Sequence, residues 1–106
     1  MVRIAEVRKI LVEGIPPFRM EIRDPEGNLI EEKEIDSYIN VLESIKNAFG
    51  GSLRKTELSV EEASNETKMV ITKSNGPRVT ISFKRKKQLD LMSFFPVTKI
   101  SNIRIP

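Results

Sequence analysis

Cysteine, histidine and tryptophan are all missing from this 106-residue chain, and tyrosine occurs once. Without cysteine there is no disulfide framework and no thiol chemistry. Losing histidine as well removes the usual zinc ligands, the usual general base and the commonest nucleophile–base pairs. An enzyme built from this chain would have to work with carboxylates, lysines, hydroxyls and one phenol. The N-terminal stretch MVRIAEVRKI spreads its charges evenly and has no apolar h-region, so it writes neither a signal peptide nor a membrane span. A soluble intracellular protein is expected. There is no Gly-rich phosphate loop, because Gly50-Gly51 follows a helical pattern instead of opening one. Low-complexity tracts and internal repeats are also absent, and the length suits one domain with one modest core.

What is present is charge, unevenly placed. Residues 1–53 hold seven Lys/Arg against ten Asp/Glu, a balance of −3. Residues 54–106 hold eleven against five, a balance of +6. Two solvated faces would account for this, and so would a C-terminal half that meets a polyanion or an acidic partner.

The hydrophobic pattern predicts an α+β fold with an antiparallel sheet of about five to six strands and one long helix packed on it. Residues 2–12 are ambiguous: Ile4, Val7 and Leu11 have helical spacing, whereas the branched residues and the following Gly-Ile-Pro-Pro favour a strand. Phe18, Met20 and Ile22 alternate with Arg19, Glu21 and Arg23 as a half-buried strand does. Asp24-Pro25-Glu26-Gly27 has the residues of a type I turn, and Leu29 to Ile35 returns as the second strand of a hairpin.

The helix is expected over about 36–49. Asp36 or Ser37 would cap it; Tyr38, Val41, Leu42, Ile45 and Phe49 would form its apolar face; Gly50-Gly51 would end it. Beyond it, Thr56, Leu58 and Val60 alternate, and Glu61 to Glu66 reads as a polar loop. Met69 and Ile71 then share a face with Val70 opposite. Asn75-Gly76 suggests a tight type I′ turn, and Val79, Ile81 and Phe83 alternate with Thr80, Ser82 and Lys84.

Carboxylates occur in groups: Asp24 with Glu26, Glu31-Glu32-Glu34, and Glu61-Glu62. Glu57 followed by Glu66-Thr67-Lys68 is the nearest approach to a carboxylate–metal nuclease site. Their positions in turns, loops and on an open strand face read as solvated surface, so no catalytic residue, metal or cofactor is assigned. Arg78, Lys84, Arg85, Lys86 and Lys87 form a cation series without an intervening acid, able to neutralise a DNA backbone. Stacking aromatics do not interleave it, which points to sequence-independent contact at most.

The remaining feature is Gln88-Leu89-Asp90-Leu91-Met92-Ser93-Phe94-Phe95. It resembles the PIP box (PCNA-interacting peptide), whose pattern is Gln, an aliphatic residue three positions on, and adjacent aromatics three and four further. The match covers eight of 106 residues with every defining position filled. At average residue frequencies it would arise by chance in roughly one chain of this length in a few hundred.

The resemblance implies a sliding-clamp (PCNA)-binding accessory protein of DNA replication or repair, archaeal and cytoplasmic or eukaryotic and nuclear. Gln88, Leu91, Phe94 and Phe95 would be its clamp-binding residues, and Lys84, Arg85, Lys86 and Lys87 an electrostatic flank. It divides the chain into a single α+β domain, 1–87, and a clamp-binding segment with tail, 88–106. Two other readings stand beside it. One is a small basic nucleic-acid-binding module in which Phe94, Phe95 and a final strand through Val97, Ile100, Ile103 and Ile105 are ordinary core. The other is the carboxylate–metal nuclease.

Overall fold

The computed structural model describes residues 2–86. Within them the chain runs α1 (Ile4–Leu11), β1 (Gly14–Arg23), β2 (Leu29–Ile35), α2 (Tyr38–Ala48), β3 (Thr56–Glu62), β4 (Glu66–Lys73) and β5 (Arg78–Arg85). The five strands form one sheet in the order β2-β1-β5-β4-β3, antiparallel at every pairing. An N-terminal hairpin and a C-terminal three-stranded meander are therefore zipped together by β1 and β5. The α+β expectation holds, with two helices in place of one.

β4, β5 and β1 from Phe18 onward obey the two-residue period, and one face of the sheet is buried. Phe18 and Met20 of β1, Met69 and Ile71 of β4, and Val79, Ile81 and Phe83 of β5 all point to that side. α2 lies over β1 and β2, with α1 against α2. Val7, Leu11, Val41 and Ile45 complete the core from the helix layer and are fully buried. The two buried threonines are satisfied: Thr56 Oγ1 donates to the Leu53 carbonyl at 2.5 Å, and Thr67 Oγ1 accepts from Arg85 Nη1 at 2.6 Å.

α2 begins where Ser37 Oγ accepts the Asn40 amide at 3.2 Å. Its end is a Schellman motif: Gly51 N–H donates to the Lys46 carbonyl at 2.7 Å and Gly50 N–H to the Asn47 carbonyl at 3.2 Å. Both glycines have positive φ, 72° at Gly50 and 93° at Gly51, which side chains resist. On the inward face Val41, Ile45 and Phe49 are buried, whereas Tyr38 and Leu42 are only partly so.

One open local reading is settled and two expectations give way. Residues 4–11 form a helix because Val7 and Leu11, one turn apart, both find the core, and the Glu6 carboxylate accepts the Arg3 amide at 3.2 Å at the first turn. Packing of that stripe outweighs the weak strand preference of branched residues. The polar stretch 61–66 is not all loop: β3 runs through Glu62 and β4 starts at Glu66, because backbone pairing along an edge does not require apolar side chains. The Ser74-Asn75-Gly76-Pro77 connection is not type I′, which needs two left-handed residues. Among its residues only Asn75 has positive φ, 58°, and Gly76 N–H closes the turn onto the Lys73 carbonyl at 2.9 Å.

Candidate functional site

Gln88, Leu91, Phe94, Phe95 and Lys87 lie outside the described residues. The other four cations of the series are in place, and the sheet separates them. β5 alternates its side chains, so Arg78 and Lys84 lie on the face away from the helices, six residues or about 20 Å apart. Arg85 points the other way. Its guanidinium donates to the carbonyls of Ala63 and Glu66 and to Thr67 Oγ1, closing the β3–β4 turn. Arg85 is thus a half-buried turn clamp, with Nε lacking a partner among the described residues. Lys86 is exposed, and its amide extends the β1–β5 ladder to the Glu13 carbonyl at 2.8 Å.

The suspected carboxylate site does not assemble. Glu57 sits opposite Thr72 and Glu66 opposite Lys84, at the two ends of β4. With about 3.3 Å per residue, that is about 20 Å of ladder. Asp24 works within its own turn instead, accepting from the Asn28 and Glu26 amides and from Asn28 Nδ2 at 2.8, 3.0 and 3.1 Å. The Asn28 side chain, then these amides, hold the Asp24 carboxyl below the usual aspartate range.

The helix-free face of the sheet is concave and polar. A hollow of about 560 Å³ on it is lined by Ser59, Val70, Thr72 and Thr80, with the cations Arg23, Lys68 and Arg78 and the carboxylates Glu21, Glu57 and Glu61 around them. A smaller hollow of about 290 Å³ adjoins it, bounded by Arg19, Glu21, Lys68, Thr80 and Ser82. The register sets Arg23 directly opposite Arg78, and Ser82 between Arg19 and Lys68.

Arg19 is held by Glu32 at 2.6 Å, whose hydrogen bond and charge raise the guanidinium pKa above its ordinary value. Arg23 reaches Glu21 at 3.5 Å and donates to the Gly27 carbonyl at 2.9 Å. Lys68, Arg78 and Lys84 have no ion pair among the described residues. The sequence pattern does not single out Arg19 or Arg23 as site residues, and it points to Lys68 only beside the carboxylates Glu57 and Glu66. Alternation with Phe18, Met20 and Met69 marks them as outward-facing, but their proximity to Arg78 and Ser82 is a matter of register.

The class defined by these features is an α+β domain with a five-stranded antiparallel sheet, helices on one face and a charged, open concavity on the other. Comparisons with family models, curated proteins and solved structures find no match to the chain. Among the described residues no helix is long and apolar enough to cross a membrane.

Proposed function

We propose that this protein is a sliding-clamp-binding accessory protein of DNA replication or repair, acting through Gln88, Leu91, Phe94 and Phe95. The observation that carries the reading is the filled PIP-type pattern. β5, the last strand among the described residues, ends at Arg85, so the pattern begins three residues beyond it, closer to the folded body than such motifs commonly lie. A single 3₁₀ turn through residues 91–95 would gather Leu91, Phe94 and Phe95 into one apolar plug for a preformed pocket. Adjacent aromatics are the usual energetic anchors of such contacts, and the Gln88 amide has donors and an acceptor for a polar recess. Occupying the pocket either brings the domain to the clamp or denies the pocket to another peptide.

The cationic flank needs rearrangement in this account. Lys86 and Lys87 serve as steering charges that speed encounter with an acidic clamp surface. Arg85 has a structural task in the β3–β4 turn, so a variant that includes it confounds steering with folding.

The test is the double substitution Phe94→Ala, Phe95→Ala in the full chain, titrated against the clamp of the source organism. Truncating interface anchors costs about 2 kcal/mol or more each, so binding weakens by about several hundredfold or more. The thermal midpoint stays near that of the unmodified protein, because displayed rings add nothing to the core. A synthetic peptide of residues 84–106 binds the clamp unaided. If instead the double variant loses about 3–5 kcal/mol of stability per ring and the peptide is silent, both rings are core and the clamp reading fails.

A further inference from the structure

Outward-facing charges on the open side of the sheet are sorted by strand. The three inner strands β1, β5 and β4 carry five cations there, Arg19, Arg23, Arg78, Lys84 and Lys68. They carry two carboxylates, Glu21 and Glu66, on the same side. On the two outer strands the balance inverts: Glu32 and Glu34 of β2 and Glu57 and Glu61 of β3 face this side, with no outward cation between them. The face as a whole therefore has a balance of −1, yet its middle is a cationic lane with acidic banks.

Along the lane's axis, β5 presents Arg78, Thr80, Ser82 and Lys84 in succession, a cation at each end and two hydroxyls between. It is about 20 Å long, and three strands make it about 10 Å wide. The hollows described above lie along it, sharing Glu21, Lys68 and Thr80.

Two features call for an anion in this lane. Like charges directly opposite in a ladder are destabilising, and the Arg23–Arg78 pair is such a contact unless an oxyanion lies between the two guanidinium forks. Lys68, Arg78 and Lys84 also make no ion pair among the described residues, although the ladder sets Glu61 opposite Lys68 and Glu66 opposite Lys84. The Arg19–Glu32 and Arg23–Glu21 pairs keep partial contact with solvent, where an ion pair contributes little.

Lane width selects the form of the anion. A single phosphodiester strand fits within about 10 Å. A duplex, whose grooves alone are about 12 and 6 Å wide, would set its second backbone against Glu57 and Glu61 or against Glu32 and Glu34. The lining of the larger hollow is charged and hydroxyl-bearing apart from Gly27, Leu58 and Val70, without aromatic rings on which bases could stack. From this geometry we infer that the open sheet face binds the backbone of single-stranded nucleic acid, extended along β5 and held by Arg23, Arg78, Lys68 and Lys84 without base readout. The inference does not depend on the clamp-binding segment and uses different cations from the chain-terminal series, Arg78 and Lys84 excepted.

The experiment is fluorescence anisotropy of a labelled oligothymidylate of about 12 nucleotides, titrated with the full chain between about 50 and 200 mM salt. A duplex of the same length runs in parallel. The oligothymidylate binds more tightly than the duplex. Substituting Arg78→Ser with Lys68→Ser weakens it about tenfold or more at the lowest salt and reduces the salt slope by about 1.4, or about 0.7 for each phosphate no longer neutralised. Glu57→Gln with Glu61→Gln has the opposite sense, raising duplex affinity and narrowing the preference for the single strand. This second variant also keeps the inference testable should the first fail to fold.

Phe94→Ala with Phe95→Ala leaves oligothymidylate binding unchanged, so the lane and the clamp reading can fail separately. Any of three results overturns the inference: the duplex binding as tightly as the single strand, the Arg78/Lys68 variant retaining full affinity with an unchanged slope, or Lys86→Ser with Lys87→Ser alone abolishing binding.

Discussion

Gly14 gives the sharpest test of the core. It is buried at the start of β1, opposite Arg85, and a β-carbon placed there would stand 2.5 Å from Phe83 Cδ2 and 2.7 Å from Phe18 Cε2. Those rings are themselves buried, Phe18 1% and Phe83 3% exposed, and they pack together with centroids 5.3 Å apart. Neither has free space into which to retreat. Gly14→Ala therefore acts as overpacking, which costs about 1–3 kcal/mol, although alanine itself would suit an extended backbone better than glycine.

For a domain of this size each kcal/mol moves the thermal midpoint by about 4–8 °C, so a fall of about 8–16 °C is expected for a cost of about 2 kcal/mol. The decisive arm is a double-mutant cycle. Phe83→Leu alone weakens the ring packing and costs about 1–3 kcal/mol, but it also removes Cε2, which stands 3.0 Å from the added β-carbon, and exchanges a rigid ring for a side chain whose δ carbons can turn away. Gly14→Ala should then cost about 1 kcal/mol less in the Phe83→Leu background than in the unmodified chain. Urea titrations give both stabilities, with the slope m as a check that the compact state is shared. Strictly additive costs, or a midpoint unmoved by Gly14→Ala, would show that the ring pair does not crowd this position.

Other expectations follow from the same packing and hydrogen bonds. Ile45→Ala should lower stability by about 2–5 kcal/mol, and Leu42→Ala by clearly less, since only Ile45 is fully buried; chemical denaturation of the pair ranks them. Asp24 has a depressed pKa in the folded state, so its contribution is present above the ordinary aspartate value of about 3.9 and lost as pH falls through the depressed value. The stability gap between the unmodified protein and Asp24→Ala should accordingly close on acidification, and Asn28→Ala should move the Asp24 carboxyl titration, read by NMR, to higher pH. Arg85→Ala should free the β3–β4 turn, seen as faster amide exchange at Ala63, whose amide is held by the Glu66 carbonyl.

Much of the fold is legible in single segments because burial imposes a period on a segment whatever its partner. Phe18, Met20 and Ile22, or Val79, Ile81 and Phe83, announce strands with one buried face. Ser37, the Val41–Ile45–Phe49 spacing and Gly50-Gly51 announce a helix with both its ends. The same local reasoning fails where the period is short or the polar face dominates. Residues 4–11 span barely two turns, so their helical stripe is evident only once Val7 and Leu11 have a core to enter. Glu61 and Glu62 carry no apolar mark, and only the hydrogen bonds of β4 make them strand.

Position in the sheet is a different kind of information, and no segment contains it. That Arg23 faces Arg78 follows from a ladder joining residues more than fifty positions apart, fixed by how the buried faces of β1 and β5 align. The same alignment turns Arg85 into the β3–β4 turn while Lys84 faces outward, so a basic run that is continuous in the chain is divided in space. Periodicity within single segments marks the inward residues of β1, β4, β5 and α2, turn residues mark most chain reversals, and the PIP-type pattern from Gln88 to Phe95 is written in the chain itself. Which outward charges become neighbours depends on strand order and register, because side-chain period is a local consequence of backbone geometry whereas strand order is set by long-range pairing.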